Sequence, residues 1–289
     1  MFKYKEKHYR SKKHPILEYI FDKYNPKWDT SQKVIGFTLK DITEGYGACN
    51  IPRPTSTSNT ILDLCRKKSR ITSRVPESIY RLGYDLRKKT GRGPDSFNYA
   101  GEFVYVGVGN EVKSWFEWPE TFDHVKVISS ESLPSEISHF LRTDEGALFS
   151  VIDYCDVLSK ALYDEVKTVY RVQNPMKWQP NEIDGFYLCK SEDELMVFPI
   201  EAKALTTRDD INLEQLQGAL NTVSSKYSNF SHKLYITPLA IQMVPDGLLI
   251  AVFEKCKVGQ PNLIIKLERT IQVLLKPKID SWQRNKSSV

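Results

Sequence analysis

The stretch 182–203, EIDGFYLCKSEDELMVFPIEAK, constrains the chain most because charged side chains interrupt two otherwise apolar runs. Each run has the length and composition of a buried β-strand, and the charged residues between them predict a turn. The two predicted strands span residues 183–188 and 195–203. Because Pro199 cannot donate a ladder hydrogen bond, we expect a β-bulge in the second strand.

Three charged side chains within these strands predict a metal site. Glu201 and Lys203 share a face, since residues i and i+2 of a strand point the same way, and a hairpin would bring Asp184 beside Glu201. Two carboxylates together suit a hard divalent cation such as Mg²⁺. The acid-x-Lys spacing also occurs at 111–113 and 165–167, and alone it is typical of a solvated ion pair. The third pair differs because it ends an apolar run, where charges are costly unless they are paired or bound to metal.

Asp184 followed by Glu201-Ala202-Lys203 resembles the D…(D/E)-x-K signature of the PD-(D/E)xK nuclease superfamily, which includes many type II restriction endonucleases. The resemblance extends over most of the C-terminal half, where the order helix, strand, strand with the motif, helix, strand also fits. One departure is Ile183, at a position where proline is common in the superfamily. The resemblance implies a restriction-endonuclease-like αβ core, with a mixed sheet flanked by helices.

The same resemblance implies roles for the motif residues. Asp184 and Glu201, with the backbone carbonyl of Ala202, would hold Mg²⁺, and Lys203 would orient or help to deprotonate the attacking water. The products would carry 5′-phosphate and 3′-hydroxyl ends.

Two further residues are candidates for the site on the same resemblance. Glu145 lies at the start of a predicted helix spanning 144–163 and could add an acidic ligand, with helix capping as its alternative role. Gln215 lies in a predicted helix spanning 211–221, where polar residues of relatives reach the site.

Positive charge is concentrated in the first part of the chain. Residues 1–100 contain 21 lysines and arginines against 10 acidic residues, whereas the remainder contains 20 basic and 26 acidic residues. This asymmetry predicts a polyanion-binding module beside a metal-binding one, with a merely soluble basic surface as the alternative. We therefore predict two domains, spanning 1–130 and 131–289.

The basic part has the layout of a winged helix-turn-helix, which makes the whole chain a two-domain α/β (α+β) protein. Predicted helices are followed by a predicted β-hairpin, the candidate wing. The helices span 14–24, 37–44, 55–68 and 76–89, a glycine- and proline-rich turn spans 45–54, and the hairpin spans 97–110. In this motif the start of the second helix faces base edges, while flanking basic residues contact phosphates.

Candidate DNA-binding residues follow from that layout. The base-facing set would be Thr57, Ser58, Asn59 and Thr60. The phosphate-binding set would be Arg53, Arg66, Lys67 and Lys68, with Arg87 and Lys88 just before the candidate wing. The alternative is an ordinary capped helix with solvated lysines.

Several functional classes lack their sequence signatures here. No apolar run reaches the roughly 18 residues of a membrane span, and the N-terminal residues lack the apolar segment of a secretory signal. The five cysteines are widely spaced and form no CxxC motif, which is typical of reduced thiols in a cytoplasmic protein. The histidines form no metal-binding cluster, and no GxGxxG or Walker sequence predicts a nucleotide cofactor.

The sequence thus predicts a Mg²⁺-dependent, site-specific endonuclease that cuts double-stranded DNA, a type II restriction enzyme. Such enzymes commonly act as homodimers on palindromes, since two-fold symmetry brings one active site to each strand. Three alternatives stay open: another DNA nuclease (resolvase, repair or transposition), a DNA-binding regulator with an inactive nuclease fold, and an RNA-processing enzyme.

Overall fold

The chain folds as a mixed α/β protein with two compact units, Met1–Ser114 and Trp115–Val289. The computed structural model describes residues 2–4, 7–9, 11–57, 59–65, 74–89, 99–163, 167–178, 182–190, 194–205, 210–230, 233–260 and 263–283. The boundary lies at Ser114 rather than at residue 130, because a strand at His124–Ser129 pairs within the second unit. None of the helices described is long and apolar enough to cross a bilayer.

The first unit packs helices on a three-stranded antiparallel sheet. Its elements are β1 (Phe2–Tyr4), β2 (Lys7–Tyr9), α1 (His14–Tyr24), β3 (Val34–Thr38), α2 (Leu39–Ala48), α3 (Asn59–Leu64), α4 (Glu77–Arg81), β4 (Tyr84–Lys88) and β5 (Tyr99–Tyr105). The sheet order is β3-β5-β4. Phe21, Phe103 and Tyr84 lie at the centre of its core, with edge-to-face ring contacts that favour a fixed arrangement.

Three boundaries in this unit differ from the sequence predictions. The predicted helix 76–89 ends at Arg81, because Gly83 takes a positive φ of 87° and turns the chain into β4. In the predicted hairpin 97–110, the described residues 99–110 contain one strand, β5, which lies between β3 and β4. The predicted turn 45–54 is helical as far as Ala48, and Gly45 allows α1 to approach closely, since a Cβ there would lie 2.7 Å from Ile16.

The second unit is built on a mixed sheet of nine strands among the described residues. Its elements are β6 (His124–Ser129), α5 (Ser135–Phe140), α6 (Glu145–Tyr154), α7 (Val157–Leu162), β7 (Val169–Gln173), β8 (Met176–Lys177), β9 (Glu182–Ile183), β10 (Gly185–Lys190), β11 (Leu195–Lys203), α8 (Leu213–Lys226), β12 (Leu234–Ile236), β13 (Leu239–Val244), β14 (Gly247–Phe253), β15 (Cys256–Lys257), β16 (Leu267–Lys276) and α9 (Asp280–Gln283). The main path is β15-β12-β11-β13-β14-β16-β6, and β10 pairs with β11 and β7. β11 is therefore an interior strand.

Helices cover both faces of this sheet. Even-numbered residues of β11, such as Phe198 and Ile200, pack in a cluster with α6 and α7. Odd-numbered Val197 packs with Leu220 and Val223 of α8 on the opposite face. Alternation along the strand thus assigns each β11 side chain to one face.

Two helix predictions in this unit were also wrong in part. The predicted helix 144–163 is divided into α6 and α7, because Asp156 takes a positive φ of 51° between them. The predicted helix 211–221 instead spans Leu213–Lys226 as α8. The lysine-rich end of the chain contains α9, in which Trp282 is fully buried.

The predicted bulge at Pro199 is absent, and β11 pairs with β10 in unbroken register. β12 and β13 both pair with β11 in parallel and in one continuous register, with Val197 opposite Ile236 and Ile200 opposite Leu239. In this register Pro199 lies opposite Pro238, which belongs to the short segment between β12 and β13. Odd-numbered residues of β11 direct their backbone groups toward that side, since Val197 O accepts a hydrogen bond from Thr237 N. The missing N–H of Pro199 therefore coincides with a gap in the ladder.

Candidate active site

The predicted hairpin of the motif is confirmed by the pairing of β10 with β11. Gly185 lies opposite Ile200 in an antiparallel ladder. One further step in this register places Asp184 opposite Glu201, where β11 continues to Lys203 beyond the end of β10.

Short contacts link the motif residues. Asp184 Oδ2 accepts a hydrogen bond from Ala202 N at 2.8 Å. Lys203 Nζ lies 2.7 Å from Glu201 Oε1 and 4.0 Å from Glu145 Oε1 at the start of α6. Four charged residues therefore lie close together, namely Glu145, Asp184, Glu201 and Lys203. The first and last of them are 58 positions apart in the sequence.

The backbone of Ala202 faces the same carboxylate. The N–H and C=O of one strand residue point to the same edge, and the N–H of Ala202 donates to Asp184. The carbonyl oxygen of Ala202 is consequently directed to the edge where Asp184 lies. This carbonyl is thus a third oxygen-bearing group at the site, beside the two carboxylates.

Burial gives these groups unusual protonation behaviour. Burial and then the neighbouring charge of Asp184 raise the pKa of Glu201 to about 8. Burial also raises the pKa of Asp184. For Lys203, burial lowers the pKa, but the carboxylate of Glu201 outweighs this effect and the net pKa is raised. Lys203 therefore stays protonated. A cation close to the two acids would stabilise their charged forms.

These donors fit Mg²⁺. Within the described part of the chain, no three His, Cys, Asp or Glu side chains form a ready-made metal cluster. Mg²⁺ does not require one, because it retains several waters and is commonly bound through one or two carboxylates. The hard oxygens of Asp184, Glu201 and Ala202 meet that requirement, and the burial of Glu201 beside the charge of Asp184 favours a cation.

A cleft of about 360 Å³ opens beside Asp184. Its walls come from the start of α6, the end of β7 and the strand β9. The lining residues are Glu145, Gly146, Phe149, Ser150, Arg171, Asn174, Pro175, Glu182 and Asp184. The cleft gives a ligand access to one of the motif carboxylates.

Gly185 lets α6 approach the hairpin. A Cβ at this position would lie 2.4 Å from Cε1 of Phe149, a contact that real side chains do not make. Because Phe149 belongs to α6, the absence of a side chain at Gly185 permits the helix that carries Glu145 to pack next to Asp184.

Gln215 lies in the first turn of α8, which covers the face to which odd-numbered residues of β11 point. Its backbone N–H donates to Asn212 O at 3.1 Å. No hydrogen bond among the described residues joins its side chain to Asp184, Glu201 or Lys203. The structure thus places Gln215 on the expected helix, and its role in the site stays a prediction.

The candidate DNA-binding residues have different surroundings. Arg53 and Asn59 are exposed, whereas Thr57 and Thr60 are buried, contrary to the expectation that they face base edges. The Thr60 hydroxyl lies 3.0 Å from the Tyr46 hydroxyl, which accounts for its inward position. Four further candidates, Ser58, Arg66, Lys67 and Lys68, lie outside the described residues.

The two basic residues predicted before the wing lie on β4. Arg87 donates to Glu102 on the adjacent strand, with its Nε 2.6 Å from Oε1, so its charge is compensated within the sheet. Lys88 is the last residue of β4 and is half-buried.

Asn174 and Arg171 were missed by sequence reasoning although both line the cleft. They come from β7 and the segment after it, and β7 reaches the site only because it pairs with β10. No local pattern in the sequence shows that pairing.

Comparisons of this chain with protein families, with curated proteins and with solved structures found no match.

Proposed function

We propose that this protein is a Mg²⁺-dependent endonuclease that hydrolyses phosphodiester bonds of double-stranded DNA at specific sites. The observation that carries the proposal is the convergence of Asp184, Glu201 and Lys203 where the β10–β11 hairpin ends. A buried acid, a partly buried acid and a partly buried lysine with perturbed pKa values beside a cleft are typical of functional sites.

Each motif residue has a distinct role in this proposal. Asp184, Glu201 and the Ala202 carbonyl would bind Mg²⁺, which supplies charge neutralisation at the phosphate and lowers the pKa of a water molecule. Lys203 is anchored by Glu201 and, since its pKa is raised, would act as a hydrogen-bond donor. In that state it can orient the attacking water and stabilise the negative charge that develops on the phosphate.

The first unit would supply DNA recognition. Its order α1-β3-α2-α3, followed by the short α4 and then by β4 and β5, with sheet order β3-β5-β4, supports a winged helix-turn-helix. The exposed Arg53 and Asn59 and the basic residues 66–68 would contact DNA. A homodimer would present two sites to a palindrome.

Incubation of unmethylated phage DNA with the protein, with and without Mg²⁺, tests the proposal. We expect discrete fragments only with Mg²⁺, and a loss of roughly 10²–10⁴-fold in rate for Asp184→Ala and Lys203→Ala, with duplex binding retained. Lys255→Ala is the matched control, because Lys255 lies outside the site, where it forms a partly exposed pair with Glu194 and a cation–π contact with Tyr235, and it should not alter the rate.

Other outcomes would redirect the proposal. A Mg²⁺-dependent smear would indicate a nuclease without sequence choice. A shifted duplex with no cutting by the wild type would overturn the nuclease proposal in favour of a DNA-binding regulator. Unchanged cutting by both alanine variants would remove these residues from the site.

A further inference from the structure

The side-chain oxygen of Asn174 is an unusual group beside the candidate active site. Asn174 Oδ1 is buried and has no hydrogen-bond partner among the described residues. A buried acceptor left unpaired is energetically unfavourable, and such groups in folded proteins often mark a site for water, an ion or a ligand.

A chain of hydrogen bonds determines the orientation of the Asn174 side-chain amide. Arg171 NH1 lies 2.7 Å from Asp153 Oδ2, and the Tyr187 hydroxyl donates to Asp153 Oδ1 at 2.9 Å. Since its one hydrogen is used in that bond, the Tyr187 oxygen can only accept from Asn174, whose Nδ2 lies 3.3 Å away. The NH₂ group must therefore face Tyr187, which leaves Oδ1 on the other side.

The Oδ1 end of the Asn174 amide lies next to the motif. Asn174 Oδ1 lies 3.1 Å from the position that a Cβ on Gly185 would occupy, and Gly185 directly follows Asp184. Asn174 also lines the cleft together with three acids, Glu145, Glu182 and Asp184. The cleft is also lined by Arg171, whose charge is paired with Asp153. The amide oxygen and the three acids therefore give the cleft a majority of oxygen acceptors, which favours a hydrated divalent cation over an anion.

We propose that Asn174 is a positioning residue of this site, whose side-chain oxygen accepts a hydrogen bond from a water of the divalent cation held by Asp184. The inference rests on the proposed function, because it deepens the role of the same site. Asp153 and Tyr187 act through Asn174 by fixing the amide, and Arg171 acts through Asp153.

Mn²⁺ binding by the full-length protein, followed by electron paramagnetic resonance of the free ion, tests this role without DNA or cleavage. Removal of a hydrogen-bond partner of this kind typically lowers metal affinity 10–100-fold. We expect Asn174→Ala and Asn174→Leu to weaken Mn²⁺ binding by about 10-fold or more, and Asn174→Asp, which keeps an oxygen, to retain it within about threefold.

Ser150→Ala is the matched control, because Ser150 lines the same cleft but its hydroxyl already donates to Gly146 O at 3.0 Å. Its Mn²⁺ affinity should equal that of the wild type. Tyr187→Phe frees the amide to rotate and should weaken binding less than Asn174→Ala. Leucine at 174 removes the unpaired oxygen without removing side-chain volume, so a folded Asn174→Leu variant keeps the test valid if the alanine variant is unstable.

The results separate this inference from the proposed function. Wild-type affinity in Asn174→Ala or Asn174→Leu would overturn the role of Asn174, whatever the protein does to DNA. A wild type that binds Mn²⁺ but never cuts would overturn the nuclease while leaving the Asn174 result standing. A wild type that binds no Mn²⁺ would overturn both.

Discussion

Gly185 shows how closely the candidate site depends on one missing side chain. We expect Gly185→Ala to lower the free energy of unfolding by about 1–3 kcal/mol, because the new methyl group would overlap Phe149 and force α6 away from the hairpin. Urea denaturation measures this change. Because α6 carries Glu145, Mn²⁺ affinity should fall as well.

Two variants distinguish overlap from a general effect of replacing glycine. Gly47→Ala should be neutral or stabilise by up to about 1 kcal/mol, since Gly47 is helical and a Cβ there has no atom within 4 Å. Phe149→Leu combined with Gly185→Ala should recover part of the lost stability. Equal stability of Gly185→Ala and the wild type would show that α6 packs differently.

Asp41 predicts a specific dependence of stability on pH. Burial raises its pKa, but hydrogen bonds from Lys23 and from the backbone and hydroxyl of Thr38 outweigh burial, so the net pKa lies below its usual value near 3.8. Since the folded pKa is the lower one, the contribution of Asp41 is fully present above about pH 4 and is lost as the pH falls through the folded pKa. Asp41→Asn should therefore cost most near neutral pH, about 0.5–2 kcal/mol for the capping box alone.

The measurement is the difference in unfolding free energy between Asp41→Asn and the wild type across pH 3–7. That difference should shrink toward acid pH. Glu44→Gln is the control, because Glu44 also pairs with Lys23 but lies at the surface, where such pairs contribute at most about 1 kcal/mol. A pH-independent cost of Asp41→Asn would contradict the assignment.

Strands and helices were predictable where their side-chain pattern is local. The β10–β11 hairpin followed from apolar runs interrupted by Asp184 and Glu201, and its pairing places those acids as expected. The pairing of β7 with β10 and the end of the predicted helix at Gly83 did not follow, because each depends on contacts distant in sequence or on one backbone angle. Hence the motif was found and Asn174 was not.

The last helix, α9, is a further element that the composition of the sequence around it did not predict. Its lysine-rich flanks suggested a frayed end, yet Trp282 is fully buried with Ile279 in the core of the second unit. We expect Trp282→Ala to cost about 3–5 kcal/mol. Trp282→Phe should cost much less, because the buried Trp282 Nε1 has no hydrogen-bond partner among the described residues.

Thermal or urea unfolding of both variants checks this prediction. A loss below about 1 kcal/mol for Trp282→Ala would mean that α9 contributes little to the second unit. Similar large losses for alanine and phenylalanine would mean that the indole shape, rather than apolar volume, is required.

For the molecule as a whole, positive charge is concentrated in the first of two units that have their own hydrophobic cores. If the basic residues of the first unit bind phosphates, replacing Lys67 and Lys68 by alanine should weaken duplex binding. The slope of log K against log salt should fall by about 1.8, since each phosphate contact contributes about 0.9.

Fluorescence anisotropy of a labelled duplex between roughly 50 and 200 mM salt measures that slope. The control is a double alanine variant of Lys266 and Lys278, which are exposed lysines of the second unit paired with Glu254 and Asp246. An unchanged slope for the Lys67 and Lys68 variant, or an equal change in the control, would remove these lysines from the interface.

Pro199 and Pro238, facing each other in the parallel ladder, have a consequence for misfolding. A slip of one residue between β11 and its neighbours would turn Glu201 and Lys203 toward the apolar layer under α6 and α7 and would move Ile200 and Ala202 to the face that α8 covers. The slip would also move the nitrogen of Pro199 away from the gap and against a carbonyl that requires a donor. Pro199 and Pro238, which lack an amide hydrogen, thus destabilise the mispaired sheet. Their main effect is to keep Glu201 and Lys203 on the correct face, rather than to stabilise the correctly paired strand.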